Sequence, residues 1–480
     1  MSYYITTSIP YANADPHIGF ALELIQADVL ARYARQQGHD VVFSTGTDEH
    51  GTKIYEKAQE KGVDPHKLTD EMSQNFRDLA EVLNSSHNRF IRTTDKEHES
   101  RAQKIWKALE KDIYKAQYKG LYCVGCEAYV TEAAAKENGG ECPTHQKPYE
   151  VLEEENYFFK LSKYSDDIKA AIESDSFDVL PKHRKNEILG VLKDGLEDIS
   201  ISRPADKLPW GVPVPGDKKQ VMYVWFEALM NYITVLGYPD QKDFKDFWPA
   251  DVQVIGKDIL RFHAAIWPGM LLGLGIELPK KLYVHGFIYV AGQKMSKSIG
   301  NVVHPKEVVK QYGADALRYY LLGHIPSSGD GDFTWEKFHD AYTNELGNEL
   351  GNAVQRTIVM IVKYKHGQLG KLARSQHDEA KYHEAIEYCQ FDKALEAVWK
   401  MIRGLNQYIE EEKPWQIAKE GDAQQLEAVL SHQAASLMQI ADLLTPFLPE
   451  TADAIKQALS AEPIVLPERT LFPRIEREEE

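Results

Sequence analysis

The stretch YYITTSI, residues 3–9, leads within a few residues to DPHIGF and then to a long run with helical periodicity. A strand, a tight turn and the first turn of a helix is where an α/β protein holds a phosphate. Free N–H groups and the positive end of the helix dipole point outward there. Asp15 is the expected N-cap and Pro16 the expected first helical residue. His17 then projects from the helix start as a hydrogen-bond donor. Gly19 removes a side chain where a flat ligand could lie against the backbone. The competing reading is an ordinary capped helix start that happens to contain a histidine.

The pattern that opens the chain repeats. The run from Ile18 carries an apolar face at Ala21, Leu22, Ile25, Val29, Leu30 and Tyr33 and stops at Gly38. DVVFSTG and FIRTT are further apolar strands, each followed by helical text. Such alternation means a parallel sheet covered on both faces. TDEHG, residues 47–51, follows the second strand and so lies at the carboxyl edge of the sheet, where such folds bind ligands.

From about Tyr114 the text becomes loop-rich, and short helical and turn segments are expected to continue to about Lys219. This reads as an insertion between two halves of one sheet. The sheet pattern resumes with VMYVWFEALMNYI and DVQVIGKD. KLYVHGFIYV then leads into the loop AGQKMSKSIGN. Beyond Ser327 the chain reads as all helical, a bundle of amphipathic segments. The expected divisions are 1–115 and 221–285 for the two halves of the sheet domain, 116–220 for the insertion, 286–334 for the loop region, and 335–480 for the helical domain. A chain of 480 residues is too long for one core, which agrees with several domains.

The formal net charge of −17 argues against a general nucleic-acid binder but leaves room for local basic surfaces. No apolar run is long enough for a membrane span. The first residues read as a strand rather than a targeting leader, so the expected location is the cytoplasm.

Two constellations carry chemistry. Cys123, Cys126, Cys142 and His145 form two short ligand pairs joined by a flexible connection, the pattern of a tetrahedral Zn²⁺ site. Three thiolates and an imidazole leave no open position, so the site is structural. The alternative is unrelated buried cysteines and a surface histidine. With four cysteines in all, the chain is not a disulfide framework. In KMSKS, residues 294–298, two Lys ammoniums three residues apart can reach around a polyphosphate. The alternative is an exposed Lys-rich loop.

PHIGF early, KMSKS late, and an α/β unit split by an insertion resemble the class I aminoacyl-tRNA synthetases. In detail the chain resembles the methionyl-tRNA synthetases. The resemblance rests on YITTSIPYAN, TGTDEHGTKI, the Cys3His knuckle, GLEDISISR, WGVPVPGD, YVWFEALMNYI, IGKDILRFHAAIWP, HGFIYVAGQKMSKSIGN and KPWQIAK. It implies a Rossmann-like catalytic domain split by a zinc-knuckle insertion, followed by an all-α anticodon-binding bundle. It implies a methionine–tRNA ligase that uses ATP with Mg²⁺, carries one structural Zn²⁺, and works as a monomer on tRNA(Met) through the CAU anticodon and the acceptor end.

The resemblance also implies residue roles. His17, Lys294 and Lys297 would be catalytic. Pro16, His17, Gly19, Phe20, Gly256, Asp258, Lys294, Met295, Ser296, Lys297 and Ser298 would contact ATP. Asp48 would hold the methionine ammonium. Ile9, Tyr11, Trp225, Ala228, Leu229, Tyr232, Phe262, His263 and Trp267 would line or support the side-chain pocket, where a polarizable thioether suits aromatic walls. Asn352 and Arg356, one helical turn apart, would bond anticodon bases, and Trp415 would stack on one. Periodicity alone reads most of the pocket residues as core and Trp415 likewise.

This chain departs from the family pattern twice. Phe20 stands where a donor, usually His, is expected, and Glu227 stands where Asp is usual. No appended C-terminal RNA-binding module and only one knuckle are read. Two rivals remain at this point. A Leu, Ile or Val enzyme would need an editing domain of ~150 residues or more, for which 116–220 is too short. A catalytically dead, tRNA-binding regulator is motivated by Phe20.

Overall fold

In a computed structural model, YYITT lies within the first strand of a six-stranded parallel sheet. The structure describes residues 1–123, 128–130, 132–144, 146–295, 300–370, 377–466 and 469–475. The chain divides into two compact units. One comprises Met1–Pro16, Gly38–Asp78 and His87–Val284; the other comprises His17–Gln37, Leu79–Ser86 and His285–Glu480.

The first unit holds the sheet. Its strands are β1 (Ser2–Thr7), β2 (Asp40–Thr47), β3 (Arg89–Arg92), β4 (Asp178–Leu180), β5 (Val252–Gly256) and β6 (Lys281–His285), in the order β3-β2-β1-β5-β6-β4. Tyr4 lies opposite Val42 on one side, and Thr6 opposite Gln253 on the other. Val41 to Thr47 are all buried, as a strand covered on both faces requires. Gly46 is demanded by packing, because a Cβ there would come within 2.0 Å of the Ile91 carbonyl oxygen. The strand order turns at β1 and β5, so the crevice at their carboxyl ends is the switch point at which such sheets bind ligands.

The stretch expected to stand apart as an insertion, 116–220, is built differently. Ile113–Cys123 runs antiparallel to Glu150–Phe159 along its length, and Asp178–Leu180 pairs parallel with Lys281–Tyr283 as the edge strand of the main sheet. Phe159, Leu161, Ile168, Phe177 and Val179 share one buried cluster with Trp267, Leu271 and Leu282. Each such side chain contributes roughly 1.5–3 kcal/mol on burial. A strand of three residues with one inward side chain shows no alternation, and its bonds come from a partner a hundred residues away.

The second unit is mainly helical, with a small sheet of Ile288–Val290, Gln293–Lys294 and Gly331–Phe333. The stretch 341–351 takes the wider π form and continues as the α-helix Asn352–Lys365. One amphipathic helix spans Ala423–Leu444, and a new helix starts at Pro449. Pro446 and Pro449 lack the N–H that a continuing helix needs. The carbonyls freed by this break are answered by Arg318. Its guanidinium is fully buried and donates to Pro446 O at 2.8 Å, Phe447 O at 2.7 Å and Leu83 O at 3.2 Å. It also pairs with the Asp28 carboxylate at 2.8 Å, on the helix Ile18–Gln36.

Candidate active site

One group of candidate residues, around His17, belongs to the second unit. The helix begins at Ile18 with His17 as its N-cap, two residues later than expected. Asp15 instead accepts from Asn75 Nδ2 at 2.7 Å. His17 wins the cap because its extended backbone lets its own ring Nδ1 accept the Gly19 N–H at 3.0 Å. With Nδ1 accepting, the neutral ring carries its hydrogen on Nε2, turned outward at an exposed position. Gly19 has a packing reason beyond room for a ligand: a Cβ there would lie 2.8 Å from His17 Cε1. Phe20 is buried and its N–H donates to His17 O, so its ring serves the core.

The helix start is tied to the segment that follows KMSKS, because the Ile18 N–H donates to Val303 O at 3.3 Å. Ala291 and Gly292 both have positive φ and turn a two-residue hairpin between Val290 and Gln293, as a type I′ turn requires. That hairpin sends Lys294 and Met295 off the end of a strand. Ser296, Lys297 and Ser298, and the Lys294 side chain, lie outside the described residues.

A separate group of candidate residues belongs to the first unit, at the carboxyl edge of its sheet. The Asp48 side chain is buried. Its backbone is fixed on both sides, with Asp48 N–H donating to Pro10 O and Asp48 O accepting from Ala12 N–H, each at 2.9 Å. This bridges Tyr11 to Asp48. Tyr11 meets Trp225 edge to face at 6.0 Å, and Trp225 stacks on Phe262 at 3.9 Å and 15°. Ile9, Tyr11, Trp225 and Phe262 are half-buried. Behind them Ala228, Leu229, Tyr232, His263 and Trp267 are buried. Tyr232 OH donates to His263 Nε2 at 2.7 Å, while His263 Nδ1 donates to Ile259 O at 3.0 Å. Phe262 and His263 open a short π-helical turn, a feature often found at functional sites. Gly256 ends β5, and Asp258 is exposed just beyond it.

Sequence reasoning missed the polar layer under this pocket. Glu227 is fully buried between His50 and His98, at 2.8 and 2.9 Å. Glu49 is also fully buried and receives a bidentate pair from Arg92 at 2.7 and 2.9 Å. Trp210 Nε1 donates to Glu49 O at 2.6 Å. The acids and histidine of TDEHG and the departure at Glu227 were sequence signals for it.

In the helical region of the second unit, Asn352 is exposed and Arg356 half-buried on the same helix. The Arg356 guanidinium lies over the Trp415 ring at 5.7 Å and pairs with Glu410 at 2.7 Å. Trp415 is half-buried.

Of the four metal-ligand candidates, Cys126 and His145 lie outside the described residues. Cys123 is buried at the end of a strand, opposite Ala128. Cys142 is buried at a tight turn, its N–H donating to Lys147 O at 2.9 Å and its O accepting from Gln146 N–H at 2.7 Å. Two buried thiols, one at a strand end and one at a turn, fit a structural Zn²⁺ site.

Residues 3–358 match the family model described as tRNA synthetases class I (M), and residues 366–472 match the anticodon binding domain of methionyl tRNA ligase. The chain is 41% identical to the methionine–tRNA ligase of Thermotoga maritima over 478 residues, covering 96% of this chain and 76% of that one. It is 44% identical to that of Caldanaerobacter subterraneus subsp. tengcongensis over 466 residues, covering 94% and 72%. Among solved structures, it is similar to Mycobacterium tuberculosis methionyl-tRNA synthetase in complex with methionyl-adenylate. That match has a TM-score of 0.89 and 37% identity and covers 95% of this chain and 94% of that one.

Proposed function

Because the chain belongs to the class I methionyl-tRNA synthetases and is a methionine–tRNA ligase, we propose how its residues divide the work. The observation that carries the proposal is the buried Asp48 beside the half-buried Tyr11–Trp225–Phe262 rings. Asp48 holds the methionine ammonium, and the thioether lies against the rings. The methionine carboxylate attacks the ATP α-phosphorus in line, forming methionyl-adenylate and releasing pyrophosphate. His17 donates from Nε2 to a phosphate oxygen at the helix start, and Gly19 leaves room for the His17 ring and the adenine. Lys294 and Lys297 stabilise the charge that builds as pyrophosphate departs. Pro16, Met295, Ser296, Ser298 and the Phe20 backbone frame the phosphates, and Gly256 and Asp258 reach the ribose. Catalysis of this kind is positioning and electrostatics, with no protein nucleophile. The 2′-hydroxyl of the tRNA terminal adenosine then takes the aminoacyl group.

ATP enters as its Mg²⁺ complex, which neutralises phosphate charge. Cys123, Cys126, Cys142 and His145 hold one structural Zn²⁺, and 116–220 is the connective region around it. Asn352 and Arg356 bond anticodon bases of the CAU triplet, and Trp415 stacks on one. The enzyme acts as a cytoplasmic monomer; among the described residues no helix is long and apolar enough to cross a membrane.

The test is exchange of labelled pyrophosphate into ATP. Methionine is expected to support it, and Leu, Ile and Val are not. No exchange with intact tRNA binding would mean a binding protein only. Two further outcomes follow from the residues. Gly19→Ala forces the His17 ring aside and is expected to slow methionine-dependent exchange by about tenfold or more, toward the 10²–10³ that loss of one transition-state donor costs. Elemental analysis is expected to find one zinc per chain, and the Cys123→Ala, Cys142→Ala double variant to carry none. Wild-type protein without zinc would refute the knuckle.

A further inference from the structure

The carboxylate under the pocket joins three elements. Glu227 follows Trp225 by two residues and is fully buried. His50, two residues beyond Asp48, places Nδ1 2.8 Å from Glu227 Oε1. His98, in the helix Lys96–Ala108, places Nε2 2.9 Å from Glu227 Oε2 and Nδ1 2.8 Å from Thr234 Oγ1. Both rings are buried. One side chain thus ties the Asp48 loop, the helix of His98 and the pocket-wall helix Val224–Ala228. A carboxylate can accept from both rings at once, whereas an amide offers one acceptor atom and one donor atom.

The other charged groups facing His50 are Glu99, whose Oε1 is 3.7 Å from Nε2, and Asp48 of its own loop. From the β3 end the Thr93 hydroxyl comes to 3.5 Å. Burial alone would lower the His50 pKa, but the Glu227 carboxylate outweighs it and the ring is pushed up to about 10. Burial raises the Glu227 carboxyl, and the His50 and His98 rings bring it below the usual carboxylate range. The pair is therefore ionic at neutral pH.

We propose that Glu227 is a positioning residue for methionine: it holds the Asp48 loop and the Trp225 wall together, and it neutralises His50, which would otherwise add its charge beside Asp48. This rests on the reading of Asp48 given above. With an amide at position 227, a protonated His50 has lost its nearest counter-charge and is left to Glu99 and Asp48. As pH falls the ring charges and methionine binding weakens. A merely structural role predicts no such dependence.

The experiment measures KM for methionine and for ATP in pyrophosphate exchange, between about pH 6 and 8. Glu227→Gln is expected to raise KM for methionine about tenfold, with a further rise toward the acid end, and to leave KM for ATP within about twofold. Wild type and Glu227→Asp, which keep the charge, are expected to stay flat across that range. A Glu227→Gln enzyme whose two KM values rise together, or whose methionine KM does not move, overturns the proposal. If that variant does not fold, a methionine KM that rises toward acid pH in Glu227→Asp overturns it instead. Asp48→Asn is measured alongside: an unchanged methionine KM there marks failure of the underlying reading rather than of the Glu227 proposal.

Discussion

Asp28→Asn is expected to destabilise the unit that contains it by about 3–5 kcal/mol, because it leaves the fully buried Arg318 guanidinium without its carboxylate. Asp28 is itself fully buried and also receives Arg32 Nε at 2.7 Å and the Ser86 N–H and hydroxyl at 2.6 Å each. Arg318 would keep its three carbonyls, but those satisfy its N–H groups and not its charge. An exposed pair such as Lys57–Glu60, at 2.8 Å, is screened by solvent and contributes little by comparison. The pH dependence has a definite sign. Burial raises the Asp28 carboxyl, yet Arg318 and Arg32 hold it below the usual range. Its contribution is therefore fully present above the unfolded carboxylate pKa of about 3.9 and is lost as pH falls through the lower folded value. Denaturant midpoints and hydrogen exchange in Ile18–Gln36 and Ala314–Gly323 measure the loss. A deficit below about 1 kcal/mol at neutral pH would show that the pair contributes no more than a surface one.

Asp48→Asn should have the largest effect on chemistry. An amide keeps the shape of the site and loses the charge that meets the methionine ammonium. Breaking a buried, hydrogen-bonded charge pair costs about 2–5 kcal/mol, which is about 30-fold or more in kcat/KM for methionine. The loss is expected chiefly in the methionine KM, since the ammonium takes no part in the bond changes at the phosphorus. Because Asp48 is anchored through its backbone to Pro10 and Ala12, the variant should keep its fold. A loss of less than about threefold in pyrophosphate exchange would remove Asp48 from the ammonium site.

Much of this arrangement is legible in the residues themselves. The apolar runs at Tyr3 and Asp40 and the helical stripe from Ile18 set the parallel sheet and the first helix, because period and turn residues agree there. The resemblance placed Trp225 and Phe262 in one pocket, and the structure stacks them. It put Arg356 and Trp415 in the same helical domain, but the guanidinium lying over the Trp415 ring was not foreseen. Other features were hidden for physical reasons. The helix cap moved from Asp15 to His17 because a side chain bonded to its own backbone two residues on, an option that propensity does not rank. Asp178–Leu180 is a strand only because β6 offers it hydrogen bonds. The break after Leu444 was written in Pro446 and Pro449, but the apolar stripe continues across it. Glu227 looked like a one-methylene departure within a motif. Only the fold shows that its carboxylate is enclosed by two histidines from distant parts of the chain.

The most direct test of the pocket is a crystal structure of the protein with methionine bound. The ammonium is expected about 3 Å from the Asp48 carboxylate, with the thioether against Trp225 and Phe262. A methionine whose ammonium lies beyond hydrogen-bond reach of Asp48, or whose side chain avoids those rings, would contradict the account.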